Sequence, residues 1–142
     1  MLLPTDAYVA VVDGEKLNLY RNAGDESTVK LIAMSVPGVD RDNKGSGARH
    51  HSSAANPDDS QQDEDGFAAG VAEMLNTQVL AGNIDALIVI AAPRTLGELR
   101  KHYHKALSAK LVGEVAKDLT GHALYDIEKA IKSGEKHFEP GV

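Results

Sequence analysis

Short apolar runs dominate the first part of the chain. Residues 7–12 (AYVAVV), 16–21 (KLNLYR) and 29–36 (VKLIAMSV) are β-branched or alternate apolar with polar positions, which predicts strands. Asp13-Gly14 follows the first run and residues 22–25 follow the second, and both are typical turn sequences. The pattern therefore predicts an antiparallel meander.

In the middle of the chain, the spacing of apolar residues changes from the two-residue repeat of strands to the three- to four-residue repeat of helices. From Asp63 onward, apolar residues recur on one helical face until Gly82-Asn83, namely Phe67, Val71, Met74, Leu75 and Val79. Residues 86–92 are uncharged and largely apolar, which predicts a strand buried on both faces that Pro93 ends. An amphipathic helix should follow, with Thr95 as N-cap, Glu98 as capping-box partner, and apolar positions up to Leu107.

The last third predicts one more strand and one more helix. Ser108-Ala109 form a short link, and residues 111–115 (LVGEV) predict a fifth strand. Thr120 can cap a final helix over residues 121–133, which Gly134 ends. The order β-β-β-α-β-α-β-α predicts an α/β protein with a mixed five-stranded sheet and helices on both faces. This order is similar to the ribonuclease H-like fold, as one domain over residues 1–134, with a long polar loop at 39–65 and a tail at 135–142.

Composition narrows the function classes. A net charge of -6 over 142 residues argues against a broad nucleic-acid surface, and 4% aromatics leaves few platforms for stacking bases. The chain has no Cys, which excludes disulfides and thiolate chemistry. We see no membrane-spanning stretch and no signal peptide, so the expectation is a cytoplasmic protein with no membrane partner.

Catalytic patterns are weak. A two-metal nuclease needs acids on its first and central strands, yet residues 86–92 hold none and Asp13 falls in a turn. His50 and His51 with the downstream acids match no closed zinc spacing. No preorganised Ser-His-acid set can be assembled. The expectation is a non-nuclease without catalytic residues, metal or cofactor.

The polar loop carries one candidate anion site. Glycines let main-chain N–H groups approach an anion, and flanking cations add a positive electrostatic field and hydrogen bonds. The same composition suits a flexible linker, so both interpretations stay open. The candidate phosphate-binding residues of this loop are Lys44, Gly45, Ser46, Gly47, Arg49 and His50.

A second candidate is the basic face of the helix after residue 92. Its cations could meet phosphate or an acidic partner, or could be a solvated face that suits the helix dipole. Arg94 lies at the strand-to-helix turn, where a guanidinium could bind a carboxylate or phosphate, or a small substrate. It could equally hold the turn in place by donating hydrogen bonds to nearby backbone carbonyls. We define the basic face as Arg94, Arg100, Lys101, His102, His104, Lys105 and Lys110.

Two sequence runs carry a family likeness. Residues 87–100 (LIVIAAPRTLGELR) and 114–120 (EVAKDLT) resemble the bacterial host-attachment family, known as protein required for attachment to host cells. That family is similar, more distantly, to the central domain of eukaryotic and archaeal peptide-chain release factors and of pelota-type rescue proteins. The resemblance implies a ribonuclease H-like topology over nearly the whole chain.

The resemblance also implies a role for the polar loop. In the release factors, a Gly-Gly-Gln loop between the third strand and first helix enters the peptidyl-transferase centre. Here the matching loop holds Gly45-Ser46-Gly47, while Gln61 and Gln62 lie further along without glycines. This implies ribosome or tRNA binding through Lys44 and Arg49 rather than peptidyl-tRNA hydrolysis. The alternative is a protein-interaction module for host attachment, without RNA binding or catalysis; the sequence does not indicate an oligomeric state.

Overall fold

The sheet has five strands in the order β3-β2-β1-β4-β5. The computed structural model describes residues 3–36 and 57–132, so the predicted tail at 135–142 and residues 39–56 of the polar loop lie outside the described residues. β1 pairs antiparallel with β2, and β2 with β3, whereas β1 and β4, and β4 and β5, pair parallel. The strands are β1 (Tyr8–Val12), β2 (Leu17–Asn22), β3 (Leu31–Met34), β4 (Leu87–Ala91) and β5 (Leu111–Val115).

Helices cover both faces of this sheet. They are α1 (Pro57–Leu80), α2 (Pro93–Arg100), α3 (Lys105–Lys110) and α4 (Leu124–Lys132). The predicted α/β class and mixed five-stranded sheet are confirmed, and the strand order is consistent with the predicted ribonuclease H-like arrangement. No helix within 3–36 and 57–132 is long and apolar enough to cross a membrane.

The alternation of side chains along each strand builds two core layers. On one face Ala10, Val12 and Val89 pack with apolar residues of α1, α2 and α3. On the other, Val9 and Ile88 pack with Ile127 and Ile131 of α4. Because β4 is buried on both faces, it can be apolar throughout, as its uncharged sequence predicts.

Two helix starts differ from the prediction. α1 begins at Pro57 and not near Asp63, so residues 57–65 of the predicted loop are helical. Proline is favoured in the first turn, and the acids that follow suit the positive end of the helix dipole. α2 begins at Pro93 with Ala92 as N-cap and no side-chain cap, so the prediction that Thr95 caps this helix is wrong.

The predicted helix through Leu107 is two helices. The backbone turns after Arg100, and α3 begins again at Lys105, where the Nδ1 of His104 accepts a hydrogen bond from the Ala106 N–H. Histidine is an unusual N-cap, which explains why the residue preferences did not reveal it. Ser108 and Ala109, predicted as a link, lie inside α3.

The last helix also starts later than predicted. α4 begins at Leu124, and Gly121 before it has φ +82°, a left-handed value that glycine adopts without strain. Thr120 is therefore not the N-cap of this helix. Its hydroxyl instead lies between Asp13 and Asp118.

A β-bulge shifts the register of β5. Leu87 lies opposite Leu111, but Ile88 lies opposite Gly113 and Val89 opposite Glu114. Val112 is thus the additional residue, and it moves Glu114 onto the face that holds α2 and α3. In an unbulged strand, positions 111 and 114 would point to opposite faces.

Candidate functional site

Four strands end at the same edge of the sheet, which we call the carboxyl edge. β1, β4 and β5 are parallel, and β3 has the same direction because it is two antiparallel steps from β1. In open α/β sheets, ligands bind beyond the carboxyl ends of the strands. The chain leaves the four strands there through Asp13, Ser35, Ala92 and Ala116.

At this edge a threonine hydroxyl joins two acids from distant parts of the chain. The Thr120 Oγ1 lies 2.9 Å from the Asp13 Oδ2 and 2.7 Å from the Asp118 Oδ1. A hydroxyl has one hydrogen, so it donates to one of these carboxylates at a time. This contact ties the β1–β2 turn to the segment after β5.

The same carboxylate shapes the first hairpin. The Asp13 Oδ1 accepts hydrogen bonds from the backbone N–H groups of Glu15 and Lys16, at 2.7 and 2.6 Å. Partial burial raises the pKa of Asp13, but these backbone bonds and the Thr120 hydroxyl outweigh it, so the pKa lies below its usual value. The Asp13 carboxylate therefore accepts the hydrogen bonds that hold the first hairpin in its shape.

Arg94 lies at the carboxyl edge, as its place after β4 predicts. Its side chain is exposed and lines a cleft whose volume is about 10 Å³. That volume holds roughly one water molecule, whereas sites for small substrates are usually some hundreds of Å³. The cleft is lined by Glu64, Asp65, Ala68, Arg94, Thr95 and Glu98.

Acids of the same chain neutralise much of the basic face. Lys101 Nζ lies 3.0 Å from one Glu98 oxygen, and His102 Nε2 lies 3.4 Å from the other. Burial raises the pKa of Glu98, but hydrogen bonds from Lys101 and His102 outweigh it and leave the pKa lowered. Lys110 pairs with Asp85 at 2.9 Å. Lys101, His102 and Lys110 thus already have acidic partners.

Arg100 makes the strongest pair of the basic face. Its Nε and Nη2 donate to one oxygen of Glu114, at 3.0 and 2.5 Å, and Glu114 is completely buried. The Tyr103 hydroxyl donates to the other Glu114 oxygen at 3.2 Å. Sequence analysis missed this cluster, although a single acid inside the apolar strand LVGEV is a signal for a paired buried charge.

The contacts in this cluster shift two pKa values. The hydrogen bond to Glu114 raises the pKa of Arg100 above its ordinary value. Burial and the nearby Glu114 charge raise the pKa of Tyr103 well above its usual range. Arg100 and Tyr103 therefore keep their protons, and their hydrogen bonds to Glu114, at ordinary pH.

His104 has a structural role at the α2–α3 turn. The buried Asn76 of α1 accepts a hydrogen bond from the His104 N–H and donates one to the His102 carbonyl, both at 2.9 Å. With its Nδ1 capping α3, His104 keeps only Nε2 for another partner. Arg94, His104 and Lys105 are the exposed members of the basic face that form no ion pair within the described residues.

The other predicted site residues cannot be placed. Lys44, Gly45, Ser46, Gly47, Arg49 and His50 all lie outside the described residues. Within 3–36 and 57–132, no group of three or more His, Asp or Glu side chains is close enough to hold a metal ion. The structure thus brings Arg94 together with Glu64, Asp65 and Glu98, but it leaves the polar loop untested.

Sequence comparison relates the chain to one family. No curated protein is significantly similar to it in sequence. The model of bacterial archaeo-eukaryotic release factor family 12 matches residues 6–131, a range that runs from the segment before β1 almost to the end of α4. The chain therefore belongs to bacterial archaeo-eukaryotic release factor family 12.

Proposed function

We propose that this protein is a release-factor-like module that binds the ribosome or tRNA without catalysing hydrolysis. Its contacts would come from the basic glycine-rich stretch Lys44–Arg49 with His50, and from Arg94 at the carboxyl edge. Family membership supports the translation-related class of partner. Fold alone does not fix an activity, so the proposal depends on how the site is arranged.

One observation carries the proposal: the described elements on either side of the glycine-rich stretch, β3 and α1, both reach the carboxyl edge. In sequence the stretch follows β3, which ends at that edge. It precedes α1, whose Glu64 lies against Gly14 of the first hairpin and lines the Arg94 cleft. A connection that leaves and returns at this edge would bring its cations near Arg94, so that both could contact one phosphate backbone.

The charge distribution limits which cations contribute. The buried Glu114 holds Arg100, and Glu98 holds Lys101, so both would have to exchange an existing partner for a phosphate. Arg94 and His104 need no such exchange within the described part of the chain. In an acidic protein, binding through a few local cations should be weak and strongly salt-dependent.

Sedimentation with ribosomes tests the proposal. We expect the wild-type protein to pellet with ribosomes at low salt and to be released as salt rises. Lys44→Ala combined with Arg49→Ala should abolish pelleting at low salt, and Arg94→Ala should weaken it. A ribosome-binding role also requires a cytoplasmic location, which fractionation measures.

The matched control is Lys30→Ala combined with Lys110→Ala. It removes the same formal charge from exposed positions that precede β3 and β5, at the end of the sheet opposite the carboxyl edge. If the control loses pelleting as completely as Lys44→Ala with Arg49→Ala, binding reflects net charge and not the loop. If wild-type protein never pellets and instead crosslinks to envelope proteins, the host-attachment interaction module replaces this proposal.

A further inference from the structure

A groove lies between α4 and the outer strand β3, on the sheet face opposite α1, α2 and α3. The Leu31 N–H donates to the Glu128 Oε2 at 3.0 Å, which fixes the helix against the strand edge. The groove has a volume of about 280 Å³. It is lined by Val29, Tyr125, Glu128, Lys129 and Lys132.

Three of the residues that line the groove form one stripe of α4. Tyr125, Lys129 and Lys132 are four and then three positions apart, which places them on one helical face. Ile127 and Ile131 lie on the opposite face and are completely buried in the core. The core therefore fixes the orientation of the stripe, although Tyr125 itself is 69% exposed.

The groove is cationic in an acidic protein. Lys129 and Lys132 are exposed, and neither makes an ion pair within 3–36 and 57–132. Glu128 uses one oxygen for the Leu31 N–H, while its Oε1 accepts no hydrogen bond from the described residues. The described part of the lining thus offers two ammonium groups, one exposed aromatic ring and a carboxylate oxygen that accepts no hydrogen bond from the described residues.

This set of groups matches a nucleotide better than an acidic peptide. An exposed aromatic ring stacks a base, and flanking lysines neutralise phosphates. A carboxylate oxygen accepts from an exocyclic amino group of a base, but it repels the carboxylates of an acidic peptide. The groove volume is of the order of one nucleotide.

We propose that the α4 groove binds a nucleotide of single-stranded RNA, with the base on Tyr125 and the adjacent phosphates on Lys129 and Lys132. The inference rests on the proposed RNA-related function, and it adds a second contact on the face opposite the basic face. Glu128 accepts from the exocyclic amino group, so adenine or cytosine is preferred over uracil.

Fluorescence anisotropy with labelled RNA hexamers tests the inference. We expect hexa-adenylate to bind several-fold more tightly than hexa-uridylate, which stacks weakly and has no exocyclic amino group. Tyr125→Ser should weaken hexa-adenylate binding roughly five- to hundredfold. Lys129→Ala combined with Lys132→Ala should weaken binding and lower the slope of log affinity against log salt by about 1.4.

Lys16→Ala combined with Lys110→Ala is the matched control for the groove, because it removes the same formal charge from residues that do not line it. Circular dichroism checks that the variants are folded. We expect them to fold, because Tyr125 and both lysines are exposed. Unchanged hexa-adenylate affinity in the Tyr125 and lysine variants overturns the inference. So does hexaglutamate competing as well as the RNA, since that outcome identifies an acidic-peptide groove.

The two proposals fail separately. If wild-type protein pellets with ribosomes but the affinity for hexa-adenylate does not depend on Tyr125, the groove inference alone is wrong. If hexa-adenylate binding depends on Tyr125 while wild-type protein does not pellet with ribosomes, the ribosome proposal alone is wrong.

Discussion

At the scale of single residues, polar groups in the core act as fixed connectors. Asn22 is completely buried, and its amide donates to the carbonyls of Leu3 and Pro4 and accepts from the N–H groups of Gly24 and Lys30. A buried polar group is tolerated when its hydrogen bonds are made. Asn22 thus ties the segment before β1 to the turn after β2.

Two glycines should respond to alanine with opposite signs. A Cβ at Gly24 would lie 2.0 Å from the Thr28 carbonyl oxygen, so Gly24→Ala must displace the backbone of that turn. A Cβ at Gly97, inside α2, meets nothing within 4 Å. We expect Gly97→Ala to raise the free energy of unfolding by about 0.5–1 kcal/mol and Gly24→Ala to lower it, as measured in urea. Equal effects of the two changes would contradict this account.

The Arg100–Glu114 pair gives a second prediction. Arg100→Ala leaves the buried Glu114 with Tyr103 as its remaining side-chain donor. Because half of the Arg100 side chain is exposed, solvent offsets part of the loss, and we expect about 1–3 kcal/mol of destabilisation. Lys105→Ala, an exposed change without a lost ion pair in the described structure, is the control and should stay within about 0.5 kcal/mol. Indistinguishable urea midpoints for the two variants would show that the pair is not needed for stability.

At the scale of elements, the short helices α2 and α3 are held in place by their contacts with the rest of the protein. α2 and α3 are too short to be stable alone, and helices of this length depend on tertiary packing. Leu96, Leu99 and Leu107 anchor them to the core, and Asn76 of α1 bridges the turn between them. The α2–α3 unit is thus held at both its apolar face and its turn.

Asn76→Ala should loosen that turn. The change leaves the His104 N–H and the His102 carbonyl without their partner in a part-buried site, and we expect a loss of about 1–3 kcal/mol. Amide hydrogen exchange should show faster exchange at His104. Thr77→Ala, next along the helix, removes only an exposed hydroxyl that donates to the Glu73 carbonyl, and it should cause little change. If His104 exchanges at the wild-type rate in Asn76→Ala, the bridge does not hold the turn.

At the scale of the whole molecule, the sheet divides the chain into two chemically different sides. The ion pairs of Glu98 and Glu114 lie on the side of the sheet that α1, α2 and α3 cover, whereas α4 leaves its lysines unpaired within the described chain. Acids of the chain thus compensate part of the basic face. The net charge of -6 therefore says little about where a polyanion could bind.

Acid should weaken the whole fold through Asp13 and Glu98. The folded pKa of each lies below its ordinary value of 3.8 or 4.5, so each stabilises the protein above that value and loses this contribution as pH falls through the folded pKa. Urea unfolding at pH 7 and pH 3 measures the loss. Asp13→Asn combined with Glu98→Gln should lose less stability between these pH values than the wild type. Glu26→Gln, an exposed control, should lose as much stability as the wild type. An equal loss in the wild type, the double variant and this control would assign the acid sensitivity to other groups.

The local pattern of the sequence by itself determined the strands, their order along the chain and the class of the fold. Period-two alternation and the uncharged run at residues 86–92 report burial directly, and Asp13-Gly14 and Gly82-Asn83 mark turns through their own backbone preferences. The resemblance of residues 87–100 and 114–120 likewise implied the release-factor relation that the family match supports. These features need no knowledge of distant contacts.

Only the tertiary structure decided which charges are available. The bulge at Val112 turns Glu114 toward Arg100. Asn76 of α1 holds the turn between α2 and α3, where the sequence predicts one helix. The Thr120 hydroxyl, predicted to cap α4, contacts Asp13 instead. Each depends on a partner far away in sequence, and intrinsic preferences are too weak to outweigh such partners. Arg100 and Lys110 of the basic face form ion pairs because Glu114 and Asp85, from other segments, fold against them, whereas Arg94, His104 and Lys105 form none within the described residues.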